Sequence, residues 1–160
     1  MSNMALIAEE QVRADLAALL LAAVEASGQT RCAIAHGAQV HKDALRRTLA
    51  GTRSASLGEA LRILEACGIP PHAHLLLLLS SGCDHATAWL QTDLAEFFDE
   101  FIGELPMAIE RVLGNQIHDV KPRWAKGTAH RVARLLADHI DELERKDALL
   151  ADIYAGAGNG

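Results

Sequence analysis

Aromatic residues are scarce in this chain: Phe, Trp and Tyr make up 4% of its 160 positions, although half of all residues are hydrophobic. The core must therefore be built from Leu, Ala, Ile and Val, a balance that suits close helix-on-helix packing. Alternating β-branched runs are also lacking, which leaves little from which to make a sheet. The three cysteines, Cys32, Cys67 and Cys83, are an odd number without C-x-x-C spacing, so neither a disulfide framework nor a zinc site is indicated. The longest apolar run, Leu75–Leu79, is far too short to cross a bilayer. The opening MSNMALIAEE has no basic region and apolar stretch of a signal peptide. A soluble, cytoplasmic protein with no membrane partner is expected.

Signatures of catalysis are missing as well. There is no G-x-S-x-G, no phosphate-binding glycine loop and no dinucleotide fingerprint. Glu96, Asp99, Glu100 and Glu104 fall on the wet face of a helix opposite Phe97, Phe98 and Phe101, with no partner base. The eight histidines form no H-x-x-x-H pair, and Cys83-Asp84-His85 is too cramped for three ligands on one ion. No enzyme activity, metal or cofactor is expected.

What is present is an uneven charge. The formal net charge is -6, yet residues 1–82 balance seven Lys/Arg against seven Asp/Glu, and residues 83–160 carry the whole excess of acid. Within Arg31–Arg53 five cations (Arg31, Lys42, Arg46, Arg47, Arg53) accompany a single acid, Asp43. A local positive patch on a neutral half beside an acidic one permits nucleic-acid binding at one end and discourages it elsewhere.

Periodicity and capping residues predict an all-α chain. A first helix covers about residues 8–26, ended by Ser27-Gly28. Thr30 caps a short second helix to His36, Gly37–Gln39 makes a turn, and a third helix spans about His41–Ala50 before Gly51. Ser56 and Glu59 form a capping box for a fourth helix, Leu57–Cys67, and Pro70-Pro71 precede a fifth, His72–Ser80. Composition and charge shift at Ser80-Ser81-Gly82, which gives a boundary between an N-terminal domain (residues 8–80) and an acidic helical domain (residues 84–154). In the second domain one long helix is expected over Asp84–Leu105 and a shorter one opened by Pro106. A last long helix is introduced by Gly127-Thr128.

The segment from Thr30 to Leu57 has the parts of a helix-turn-helix: a short first helix, a tight turn, and a second helix with a polar and basic outer face. Ile34, Ala35, Val40, Leu45 and Leu49 point inward, leaving His41, Lys42, Asp43, Arg46 and Arg47 outward. Ile34-Ala35, then VHKDALRRTLAG (Val40–Gly51), then Ser54-Ala55-Ser56-Leu57 and Ala66-Cys67-Gly68-Ile69 resemble the lambda-repressor and Cro-like (Xre-type) helix-turn-helix family. The resemblance covers about residues 8–80, with Gln39 where that family often has Gly and Arg31 where it commonly has Gln. It implies a five-helix lambda-repressor-like domain that binds double-stranded DNA, with a C-terminal helical module following.

By the same resemblance, Lys42, Asp43 and Arg46 meet base edges, while Thr30, Arg31, His41, Arg47, Thr52 and Arg53 hold phosphates. The expected function is that of a sequence-specific transcriptional regulator acting as a homodimer on a symmetric operator. An antitoxin-like interaction module, whose acidic half binds a partner protein, is the alternative. All three Phe and both Trp lie in the second half, where a subunit interface or a pocket for a small-molecule or protein effector is one reading and an ordinary core the other.

Overall fold

The computed structural model describes residues 8–157, and these residues contain helices and no strand. Eight α-helices follow in chain order: α1 (Glu9–Ser27), α2 (Arg31–Gly37), α3 (Lys42–Leu49), α4 (Leu57–Ala66), α5 (Pro71–Ser81), α6 (Cys83–Ala88), α7 (Asp93–Leu113) and α8 (Ala125–Ala157). Two 3₁₀ turns, Gly114–Asp119 and Pro122–Trp124, lie between α7 and α8. No described helix is long and apolar enough to cross a membrane. The chain divides into two compact units, one ending at Ala108 and the other beginning at Ile109.

The core of the first unit is aliphatic. Leu20, Ile34, Leu45, Ile63 and Leu64 are essentially sealed from solvent and pack in one cluster contributed by α1 to α4. Truncating any one of these to Ala would cost about 2–5 kcal/mol in lost transfer energy and an unfilled cavity. Local chemistry fixes where the helices begin. The Thr30 hydroxyl accepts from Ala33 N at 3.2 Å. The Ser56 hydroxyl accepts from Glu59 N at 3.2 Å, and the Glu59 carboxylate accepts from Ser56 N at 2.9 Å, completing a reciprocal capping box.

Beyond α5 the chain departs from the sequence expectation. The first unit does not stop at Ser80–Gly82 but continues through α6 and into α7. Ala86 of α6 is fully buried in a cluster with Leu19 of α1 and Leu77 of α5. Asp99 of α7 accepts from Ala73 N at 2.8 Å. The helix expected over Asp84–Leu105 is broken in two. The Thr87 hydroxyl bonds back to the Cys83 and Asp84 carbonyls, Gln91 takes a left-handed φ of 59°, and the Thr92 hydroxyl donates to Trp89 O. Side chains that bond locally to the backbone compete with the helical ladder. The break lets the Trp89 and Phe98 rings meet edge to face at 5.6 Å.

Pro106, expected to open a helix, lies inside α7 instead. Gly127 and Thr128, expected to introduce the last helix, are two and three residues inside α8. The Thr128 hydroxyl donates to Trp124 O rather than capping. In the second unit no residue with described burial is buried; Leu113, Val132 and Leu136 are the half-buried ones.

Candidate nucleic-acid interface

The interface is built on α2, the turn after it, and α3. Ile34 and Ala35 anchor α2, while Leu45, Thr48 and Leu49 seat α3, so both helices are held by buried side chains on one face only. The turn between them is tight. Gln39 adopts φ 55°, the left-handed conformation that glycine takes most easily. Gly37 remains helical, and a Cβ built there would sit 3.4 Å from the Ala66 Cβ, so its smallness serves the approach of α2 to α4. Arg62 of α4 donates through Nε to the Ala38 carbonyl at 2.8 Å and ties the turn to the domain. Sequence reasoning missed Arg62, because nothing in local spacing pairs a cation with a carbonyl 24 residues away.

Most of the expected site residues are brought together by this arrangement. A hollow of about 460 Å³ is lined by Arg31 from α2 and by His41, Lys42, Asp43, Leu45 and Arg46 around α3. Arg31, Lys42, Arg46 and Arg47 are all exposed. The His41 imidazole accepts from Asp43 N through Nδ1 at 3.3 Å and so caps α3. Asp43 lies 3.7 Å from Arg46, both side chains being more than two-thirds exposed, so this pair is worth little and releases Arg46 easily. The N-terminal end of α3 lies among these side chains, an end that favours anions.

Residues further along are engaged differently. The Thr52 hydroxyl donates to the Arg47 carbonyl at 3.1 Å and closes the C-terminal end of α3. Arg53 grips Glu59 with both guanidinium nitrogens, at 3.1 and 2.8 Å, and donates to the buried Thr48 hydroxyl at 3.2 Å. The Arg53 hydrogen bonds, with that from Ser56 N, hold the Glu59 carboxyl below its ordinary range, while Arg53 is raised by its bond to Glu59. Arg53 is thus committed within the domain, whereas Arg31, Lys42 and Arg47 make no ion pair among the described residues.

Among the described residues no three His, Cys, Asp or Glu side chains come together as a metal-holding group. No family model, curated protein or solved structure matches this chain.

Proposed function

We propose that this protein is a sequence-specific DNA-binding regulator whose reading helix is α3. The observation that carries the reading is the hollow lined by Arg31, His41, Lys42, Asp43 and Arg46. It joins the start of α2 to the outer face of α3, with four exposed cations close by and an apolar face beneath. A helix seated on one side and polar on the other fits a major groove about 12 Å wide. The resemblance of residues 8–80 to lambda-repressor and Cro-like domains supports the same assignment, as does the succession α1 to α5.

In this reading Lys42, Asp43 and Arg46 face base edges. Arg46 pairs with guanine O6 and N7, and Asp43 accepts from cytosine N4 or turns Arg46 toward its base. Arg31, His41 and Arg47 lie against phosphates, with Thr30 presenting the first amides of α2. Thr52 and Arg53 act through the scaffold, holding the end of α3 and the start of α4. Two copies on a two-fold operator supply the affinity that one small head lacks. Binding to mixed double-stranded DNA fragments across a salt series tests the reading: affinity should fall steeply as salt rises. No binding at low salt would favour instead an antitoxin-like module that uses its acidic half on a protein partner.

A further inference from the structure

The summed charge of the acidic half hides a stretch of cations alone. No acid lies between Asp119 and Asp138, and five of the eight Lys/Arg of residues 83–160 fall there: Lys121, Arg123, Lys126, Arg131 and Arg134. All five are exposed, and none makes an ion pair among the described residues. Helix stability does not account for them. Cations near the start of α8 oppose its dipole, and Arg131 and Arg134, three residues apart, repel each other.

Within this stretch, and wholly inside the second unit, a hollow of about 460 Å³ is lined by Arg123, Trp124, Gly127, Thr128 and Arg131. Trp124 is 50% exposed there, although its backbone is firmly held. Its N–H donates to the Lys121 carbonyl at 3.0 Å, and its own carbonyl accepts from the Thr128 hydroxyl at 3.0 Å. A Cβ built on Gly127 meets nothing within 4 Å. Glycine weakens a helix relative to alanine, and here it leaves that side of the hollow open.

A half-exposed indole ring beside two guanidinium groups suits an unpaired base, which stacks on the ring while the neighbouring phosphates meet the cations. A duplex keeps its bases stacked inside and would leave the ring idle. A lone nucleotide would reach only Arg123 and Arg131, the cations that line the hollow. The positive ground runs further. Gly127, Arg131 and Arg134 recur at spacings of four and three and share a face of α8, and Lys126 to Arg134 covers about 12 Å. With Lys121 before the turn, this row carries charge past the hollow, as the backbone of a longer strand requires.

We propose that the start of α8 and the 3₁₀ turn before it bind single-stranded nucleic acid, one base on Trp124 and the adjoining phosphates on Arg123, Arg131 and the cations beyond. The inference uses no residue of α2 or α3 and is read on single strands, so it and the duplex assignment fail separately. A short labelled oligothymidylate should bind the full chain, with affinity falling as salt rises. It should also quench Trp124 emission, read in a Trp89→Phe background. Trp124→Ala should weaken this binding about tenfold. Gly127→Leu, which fills the hollow at an unhindered position, should weaken it by a similar factor. Both variants should keep the helical circular dichroism and the duplex affinity of the parent chain. No binding of the oligothymidylate, or binding indifferent to both substitutions, would overturn the proposal. Equal affinity for thymidine monophosphate would overturn the strand in favour of a free nucleotide. An equal loss of duplex affinity in Trp124→Ala would overturn the choice of unpaired bases.

Discussion

Arg46 and Arg53 are both arginines on the flank of one motif, and their surroundings give them opposite duties. Arg46 has only the exposed, 3.7 Å approach to Asp43, so it is available to a ligand. Arg53 is bonded to Glu59 and Thr48. Replacing Arg46 by Ala should therefore leave thermal stability unchanged, relax preference at one base pair and cost about 1–3 kcal/mol of specific binding. Competition binding with an operator and its single-site variants measures this. Ser56→Ala should instead lower unfolding free energy by about 1 kcal/mol, as cap removals do, in a urea titration. Gln39 offers the reverse case. Its left-handed backbone would be relieved by glycine, so Gln39→Gly should stabilise by up to about 1 kcal/mol without changing the helices.

At the scale of elements, α5 and α6 are locked by a histidine that is fully buried. His74 Nδ1 bonds to the Ala86 carbonyl at 2.9 Å, and Nε2 is buried with no partner among the described residues. Burial pushes the imidazole pKa below its ordinary 6.5, outweighing the Ala86 bond and the nearby Asp99 charge. A base with a depressed folded pKa binds its proton more readily unfolded, so its full contribution is present above about pH 6.5 and declines below that. Stability measured from pH 8 to 5 should fall in that window, and His74→Gln should flatten this part of the fall. The elements themselves were unevenly legible. Helices α2 and α4 could be read because their signals are local: Thr30, Ser56 and Glu59 cap through neighbours three residues away, whereas His41, read as the first residue of the third helix, is the cap of α3. The break at Gln91 could not, since the backbone bonds of Thr87 and Thr92 leave no mark in apolar periodicity and the contacts the break permits, Trp89 with Phe98 and Ala86 with Leu19, are decided by tertiary packing. The same holds for Pro106, whose tolerance within α7 leaves no local mark.

Over the whole molecule, the sequence marks a basic segment within an acidic chain, and the fold gathers Arg31, Lys42 and Arg46 around one hollow. The scaffold role of Arg53 and the tie from Arg62 to Ala38 stayed hidden, because composition counts cations without revealing which are already bonded. The boundary was misplaced for a related reason: the charge shift at Ser80–Gly82 reports surface composition, while α6 is joined to α1 and α5 by small buried residues such as Ala86. With the chain at -6 overall, the affinity for DNA that we propose would have to come from the cations near α3 that make no ion pair among the described residues rather than from a general attraction. The measurement that bears most directly on this is the affinity of the full chain for double-stranded DNA as a function of salt. The account predicts a linear, steep fall of log affinity with log salt that becomes shallower in Arg31→Ala and Arg47→Ala, each by roughly one unit of slope. No binding at the lowest salt, or a slope untouched by either substitution, would contradict it.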